Sequence, residues 1–237
     1  MHISLSLTPL TVLLDYGIGN LRSLERAFER AGVAVVRSSC VEDARAADRL
    51  VLPGVGAFGA CASALRASGL GAVVSEQAAA GVPLLGVCVG MQLLFEHSDE
   101  GDAAGLGLMP GRVVRFAPDI AGPDGARLKV PHMGWNALRT VRPHPATAGL
   151  GEATYVYFVH SYHAVPADPS LVVAEAEYGV AVPAVVARGA VVGVQFHPEK
   201  SGPVGLAILR AWDASAGHGG SAARELAAHT SPSLTAP

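Results

Sequence analysis

The stretch around Cys88 constrains the fold most, because it joins a buried strand to a helix through a tight turn. Residues 82–87 form a short apolar run, which is typical of a strand inside a parallel sheet. Cys88 follows with a glycine two positions away on either side, and residues 91–97 are rich in good helix formers. A strand, Gly-x-Cys-x-Gly and a helix form the thiol version of the nucleophile elbow. We expect Cys88 to lie in strained backbone, with the helix start favouring its thiolate.

The first hundred residues alternate short apolar strands with helices, and this alternation predicts an α/β fold. Strands are predicted at residues 11–15, 33–37 and 50–52, and helices at residues 21–31, 57–67 and 72–80. After residue 101 strands are predicted at residues 112–116, 128–130, 155–159, 171–178, 184–187 and 191–196, before a last helix at residues 203–212. We therefore expect a mostly parallel central sheet with helices on both faces and an antiparallel extension of the same sheet.

Length and composition indicate one domain. We expect residues 1–10 to be a leader, residues 11–212 to be the domain, and residues 213–237, where Gly, Ser, Ala, Thr and Pro accumulate, to be a disordered tail. Half of the residues are hydrophobic, which is enough for a large core. The net charge of −3 has interspersed signs, so nothing suggests a nucleic-acid partner, and no apolar run reaches transmembrane length.

Cysteine usage indicates the compartment. Cys40, Cys61 and Cys88 are odd in number and follow no metal-ligand spacing. This favours a reducing cytoplasm and argues against both a disulfide framework and a cysteine-based metal site. The first residues also lack the basic region and the cleavage site of a secretory signal. We expect a cytoplasmic protein without a membrane or a metal partner.

A partner for Cys88 is found far along the chain, in His197-Pro198-Glu199. The proline disfavours helical backbone at His197, so His197 and Glu199 are expected in extended chain, where residues two apart point the same way. Glu199 can then accept from one ring nitrogen while the other nitrogen faces Cys88, which gives a nucleophile, a base and an orienting group. A surface histidine and glutamate at a strand end is the alternative, and it leaves the pairing with the elbow unexplained.

Acyl chemistry also requires donors for an oxyanion. The N–H of Val89, directly after the nucleophile, is one natural donor. The second is expected from Gly54-Val55-Gly56, at the end of a neighbouring strand, with Val55 as the donor, because glycines there let the backbone approach an oxyanion. A plain turn is the alternative, but it does not account for Gly56 and the later Gly59 as well.

Two other features support weaker hypotheses. The loop Gly17-Ile18-Gly19 after the first strand suggests a dinucleotide site, but Arg22 stands where a third small residue is needed. His132 fits an ordinary packed histidine, and its role stays open.

At this point the resemblance to a known family is specific. The stretches Gly86–Gln92 and His197–Glu199 resemble the class I, or triad, glutamine amidotransferases. Four further stretches look like the family of glutaminase subunits of imidazole glycerol phosphate synthase, from histidine biosynthesis. They are Asp15–Ser23, Pro53–Phe58, Pro131–Asn136 and Tyr157–Tyr162. The resemblance covers about residues 11–212, with no departure at a catalytic position.

The resemblance implies the chemistry and the partner. Cys88 would attack the side-chain amide of glutamine, His197 would move the protons, and Glu199 would hold the imidazole. It implies that glutamine is held by Gly56, Gln92, Ser161 and Tyr162, although on spacing alone Gln92 could be a solvated helix residue. Ammonia would pass to a (β/α)₈-barrel cyclase subunit bound near Asn20, Trp135 and Lys200. No metal or organic cofactor is implied.

Three other functions are compatible with the sequence. A free-standing cysteine hydrolase or peptidase would use the same three residues without a partner. A non-catalytic interaction module would keep only the fold, and the complete set of Cys88, His197 and Glu199 argues against it. Another class I amidotransferase would feed a different synthase, and only the resemblance argues against that.

Overall fold

The structure, a computed structural model, describes residues 9–151 and 154–216. Most of the expected leader and the expected tail from residue 217 onward lie outside the described residues. Within the described part the strands and helices are, in chain order, β1 (Thr11–Leu14), α1 (Leu21–Arg30), β2 (Val36–Ser38), α2 (Val41–Ala46), β3 (Arg49–Leu52), α3 (Phe58–Ala67), α4 (Leu70–Ala79), β4 (Leu84–Val87), α5 (Val89–Gln92), β5 (Phe95–Ser98), β6 (Ala103–Ala104), β7 (Met109–Arg115), β8 (His132–Ala137), β9 (Arg139–Thr140), β10 (Tyr155–His160), β11 (Tyr162–Pro166), β12 (Val172–Glu177), β13 (Ala181–Arg188), β14 (Val191–Val194) and α6 (Gly202–Ala216).

The central sheet has eight strands in the order β2-β1-β3-β4-β14-β13-β12-β9. The first five strands in that order are parallel, and the remaining three continue the sheet in antiparallel pairing. Strands β1, β3, β4 and β14 are buried along their whole length, which is why their sequences are apolar apart from Thr11 and Arg49 at the starts of β1 and β3. The predicted α/β fold with a mostly parallel sheet and an antiparallel extension is confirmed.

The helices form two packed groups. Helix α1 packs against α6, with the rings of Phe28 and Trp212 in edge contact at 6.1 Å. Helices α2 and α3 both pack against α4. The last helix continues to Ala216, past the expected domain end at residue 212, because Ala216 is still buried against the body of the protein.

The antiparallel region is more divided than expected. Strands β10 and β8 form a separate two-stranded sheet, and β11, β7, β5 and β6 form a four-stranded one. No strand forms at residues 128–130, while β8 begins shortly after them, at His132. Alternation of apolar residues identifies strands but does not say which strands pair, so the expectation of a single extended sheet was wrong for this region.

The helix expected over residues 91–97 is also wrong. Helix α5 ends at Gln92, and Phe95–Ser98 is strand β5, which pairs with β7 and β6. Intrinsic helix preference is weak compared with the burial gained when Phe95 packs in the core. A four-residue α5 supplies little of the helix dipole expected at Cys88.

The described residues contain no single helix that is long and apolar enough to cross a membrane. Helices α3 and α4 pass such a test only together, and they are bent by 88° relative to each other.

Candidate active site

The elbow at Cys88 has the strained geometry expected from its sequence. Cys88 has φ +56° and ψ −114°, and it is one of two non-glycine residues with positive φ in the described part of the chain. A Cβ atom on Gly86 would lie 2.7 Å from the Gly90 carbonyl oxygen, and one on Gly90 would lie 2.0 Å from the Leu52 carbonyl oxygen. Both flanking positions therefore exclude any side chain, and the elbow is pressed against the end of β3.

The predicted nucleophile, Cys88, and the predicted base, His197, follow two adjacent parallel strands. The register pairs Val87 of β4 with Val194 of β14, and the Cys88 N–H donates to the Val194 carbonyl at 2.8 Å. Because parallel strands end at the same edge of a sheet, the residues after β14 are carried beside Cys88. This places His197 at the sulfur, although the two residues are far apart in the sequence.

His197 lies between the thiol and a buried carboxylate. Its Nδ1 and the Glu199 Oε1 are 2.8 Å apart, and both side chains are almost fully buried. Its other side faces Cys88, which acts on the pKa of the imidazole. Burial alone would lower the pKa of His197, but the hydrogen bonds to Cys88 and Glu199 and their charges raise it to about 10. The imidazolium therefore supplies the positive charge beside the sulfur that the short α5 cannot supply.

The backbone between His197 and Glu199 differs from expectation. His197 is extended, with φ −97° and ψ 100°, but Pro198–Lys200 form a 3₁₀ turn. The turn begins because Pro198 has the right φ for a first helical position and lacks an N–H that would need a partner. Glu199 still reaches Nδ1, by way of a turn rather than by strand alternation.

The second predicted oxyanion segment lies on the other side of the elbow, after β3. The Tyr16 hydroxyl donates to the Pro53 carbonyl at 2.6 Å, and the Cys61 thiol donates to the Val55 carbonyl at 3.3 Å. Burial raises the pKa of both Tyr16 and Cys61, so both remain protonated donors. Among the described residues no backbone or side-chain acceptor takes the N–H of Val55 or of Val89.

These elements surround a cleft of about 380 Å³. Nine of the residues singled out from the sequence line it, and Glu199 lies behind His197. The lining includes Val55, Gly56, Cys88, Val89, Gln92, Ser161, Tyr162, His197 and Lys200. The cleft thus brings together a thiol, an imidazole paired with a buried carboxylate, and the Val55 and Val89 backbone, whose N–H groups have no acceptor among the described residues. Groups of these kinds are the ones that acyl transfer requires.

Comparison with known proteins identifies the family. The family model described as "Glutamine amidotransferase class-I" matches residues 12–212. The chain belongs to the class I glutamine amidotransferases. Curated relatives of this amidotransferase include the imidazole glycerol phosphate synthase subunit HisH of Salinibacter ruber, which is 52% identical over 202 residues, covering 84% of this chain and 92% of the relative. The subunit of the same name from Geobacillus kaustophilus is 52% identical over 198 residues, covering 83% of this chain and 92% of the relative.

Solved structures agree on the fold of this amidotransferase. A crystal structure described as a glutamine amidotransferase superposes with a TM-score of 0.69 at 20% identity, covering 87% of this chain and 98% of the other. At that identity the likeness shows the fold alone.

Sequence reasoning missed three residues of the amidotransferase cleft or its wall. Glu100 lines the cleft, and its carboxylate accepts the Phe58 N–H at 2.8 Å. His160 lines the cleft from β10. Gln195 is fully buried, and its Nε2 points at the Cys88 sulfur at 3.9 Å. Gln195 lies two residues before His197, a position that the strand pattern alone marks only as sheet.

Gln92 is buried and not solvated, which removes the alternative left open for it. Its Nε2 donates to the Tyr162 carbonyl at 2.9 Å and to the Gln195 Oε1 at 3.0 Å. Both amide hydrogens are therefore committed within the protein. Gln92 and Gln195 form a short polar support beneath Cys88.

The three residues predicted at a partner interface lie on the surface. Asn20 is exposed at the start of α1, and Trp135 is 57% exposed on β8. Lys200 is exposed, lines the cleft, and has its ammonium 5.6 Å from the Tyr157 ring centroid. Tyr157 in turn contacts Trp135 edge to face at 6.1 Å. Lys200 and Trp135 therefore belong to one continuous surface beside the cleft.

No group of three or more His, Cys, Asp or Glu residues with metal-binding geometry occurs among the described residues of this amidotransferase.

Proposed function

We propose that this chain is the glutaminase subunit of imidazole glycerol phosphate synthase and hydrolyses glutamine through Cys88, His197 and Glu199. The observation that carries the proposal is the buried line from Glu199 through His197 to Cys88 at the wall of a cleft. The relatives named HisH support the choice of synthase, because they are 52% identical to this chain and cover more than four fifths of it.

The proposed reaction begins with the Cys88 thiolate facing the His197 imidazolium. The thiolate attacks the side-chain amide carbon of glutamine, and the N–H groups of Val55 and Val89 hold the resulting oxyanion. His197 gives its proton to the leaving nitrogen, which departs as ammonia and leaves a thioester on Cys88. Water then attacks the thioester while His197 accepts its proton, and glutamate leaves as the thiolate is restored. Glu199 keeps the imidazole oriented and stabilises its charge.

Glutamine is proposed to lie along the cleft between the elbow and the β10–β11 turn. Gly56, Ser161 and Tyr162 offer backbone groups on its two sides, and Gln92 holds the Tyr162 carbonyl in place. Glu100 adds a carboxylate to the cleft wall, and its sign suits the α-ammonium group of the substrate.

The partner is proposed to be a (β/α)₈-barrel cyclase that docks on the outer face of the β8–β10 sheet. Strand alternation places Met133 and Trp135 on that face, opposite Val159 and Tyr157. Met133 is 61% exposed and Trp135 is 57% exposed. Large apolar side chains beside a polar rim are typical of a protein interface, and Lys200 lies at the edge where this face meets the cleft. Asn20 is proposed to lie at the same interface, next to the triad turn against which α1 packs.

The test is a comparison of glutamine hydrolysis by the isolated chain with hydrolysis by the chain bound to the cyclase and its nucleotide ligand. We expect low activity alone and strong stimulation in the complex, with the ammonia consumed by the cyclase. Full activity of the isolated chain on glutamine or on γ-glutamyl bonds would instead favour the free-standing hydrolase. We also propose a cytoplasmic location, since the mechanism requires Cys88 to stay reduced.

A further inference from the structure

A hydrogen-bonded row of side chains lies on the inner face of the β8–β10 sheet. The row consists of Asn136, His132 and His160. The two histidines are buried and Asn136 is half-buried, and the sheet register pairs His132 of β8 directly with His160 of β10. The Asn136 Nδ2 lies 3.2 Å from the His132 Nε2, and the His132 Nδ1 lies 3.0 Å from the His160 Nε2. The His160 Nδ1 lies 2.9 Å from the Tyr162 carbonyl oxygen.

The two ends of the row fix its direction of donation. At one end Asn136 donates to the Glu177 carbonyl at 2.8 Å and accepts the Ala137 N–H at 2.8 Å, which sets the orientation of its amide. At the other end the Tyr162 carbonyl can only accept. His132 and His160 must therefore each accept at Nε2 and donate from Nδ1. Asn136, His132 and His160, which we call the relay, donate in one direction toward Tyr162.

The surroundings keep both imidazoles neutral, as this direction requires. His132 stacks on the rings of Tyr178 and Phe158, with centroids 3.9 Å and 4.6 Å away. Burial lowers the pKa of His132 to about 4 and that of His160 to about 3. A neutral histidine can accept a hydrogen bond at one ring nitrogen and donate one from the other, whereas an imidazolium has two donors and cannot accept.

The relay ends at the support beneath the nucleophile. The Tyr162 carbonyl accepts from His160 and also from Gln92, whose second hydrogen goes to Gln195. Gln195 in turn points its Nε2 at the Cys88 sulfur. A continuous chain of hydrogen bonds thus runs from Asn136, beside the exposed Trp135, to the reacting atom.

We propose that Asn136, His132 and His160 are positioning residues for glutamine hydrolysis. By donating to Tyr162 they hold its carbonyl against Gln92, and so fix one side of the substrate cleft and the support beneath Cys88. The inference rests on the proposed glutaminase function. It assigns to His132 a directional hydrogen bond in addition to packing.

The test compares two substitutions that separate hydrogen bonding from packing. His132→Asn keeps a donor near the Nδ1 position and loses the ring, whereas His132→Phe keeps the ring against Tyr178 and Phe158 and loses the donor. We expect His132→Phe to lower kcat for glutamine in the cyclase complex roughly ten-fold, as for loss of one buried hydrogen bond. His132→Asn should keep most of the wild-type kcat. The melting temperatures should follow the opposite order, because the ring supplies most of the burial.

His163→Phe is the matched control. His163 is another buried histidine in the same aromatic cluster, stacked on Phe116 at 4.7 Å, but it is outside the relay. Its replacement should leave kcat near wild type. If kcat instead follows melting temperature, with His132→Phe more active than His132→Asn, His132 is a packing residue only and the inference is wrong.

A measurement on the unmodified chain covers the case in which the variants do not fold. Nitrogen-15 NMR of the histidine rings should show the proton on Nδ1 of both His132 and His160, and a proton on Nε2 of either ring would overturn the relay. The proposed function fails separately. A wild-type complex without glutaminase activity refutes that function, whereas an active complex in which the His132 variants keep the wild-type kcat refutes only the relay.

Discussion

Replacing Gly90 by alanine tests the close contact on which the elbow depends. An alanine Cβ would lie 2.0 Å from the Leu52 carbonyl oxygen and 3.1 Å from the Pro53 carbonyl carbon. An ordinary carbon–oxygen contact is about 3.3 Å or longer, so β3 and α5 would have to separate by about 1 Å. The atoms that must move are backbone on both sides, and no flexible side chain can absorb the change.

Two consequences of that separation can be measured. Overpacking of this kind destabilises a core by about 1–3 kcal/mol, which urea unfolding should detect. The same movement draws Val55 away from Val89, and a misplacement of about 1 Å at reacting groups can lower a rate by about 10²-fold. We therefore expect kcat for glutamine in the complex to fall by about that factor while the complex still uses free ammonia.

Gly59→Ala is the matched control for the elbow substitution. Gly59 lies in α3, and a Cβ there would meet nothing closer than 3.9 Å. Alanine should stabilise the helix by roughly 0.5–1 kcal/mol and leave activity unchanged. If Gly90→Ala has the stability and kcat of the wild type, β3 and the elbow can separate freely and the steric reasoning fails.

Four other substitutions or conditions test the site. Cys88→Ala should abolish glutamine hydrolysis while ammonia-dependent synthesis by the complex continues, and residual glutamine turnover would exclude Cys88 as nucleophile. His197→Ala should cost more than Glu199→Gln in kcat, with strongly non-additive effects, because only His197 moves protons. The pKa of His197 is raised from 6.5 to about 10, so its contribution to stability is complete below about pH 6.5 and is lost as pH rises toward 10. Urea unfolding across this window should show a decline in the free energy of unfolding, and the decline should be flatter in His197→Gln. Lys200→Ala should weaken cyclase binding or stimulation but leave alkylation of Cys88 by a glutamine analogue unchanged.

The sequence was most informative where a backbone constraint requires a specific residue. Gly86 and Gly90 flank Cys88 because a Cβ at either position would collide with backbone, and this requirement is visible as Gly-x-Cys-x-Gly. The buried parallel strands β1, β3, β4 and β14 were equally visible, since strands buried on both faces are mostly apolar. Local pattern and final structure agree at these positions because the same steric and hydrophobic terms determine both.

The sequence was least informative where a residue's environment depends on strand pairing. The helix expected after Cys88 was wrong because Phe95 gains more by pairing in a sheet than its neighbours lose in helix preference. His132 could not be assigned, because its partner His160 lies 28 residues away and is brought opposite by the register of β8 and β10. Gln195 was missed for a similar reason, since its contact with the sulfur depends on β14 lying beside β4.

The order of strands in the sheet explains why these groups can act together. The nucleophile needs a base on one side and backbone donors on the other, and β4 lies between β14 and β3. The segment after β14 brings His197 to the sulfur, and the segment after β3 brings Val55 toward the N–H of Val89. If either β3 or β14 lay farther from β4 in the sheet, the group that follows it, Val55 or His197, would be at least one strand spacing, about 5 Å, out of reach. The proposed catalytic arrangement therefore depends on the β3-β4-β14 order, which places the elbow between the segment that carries His197 and the segment that carries Val55.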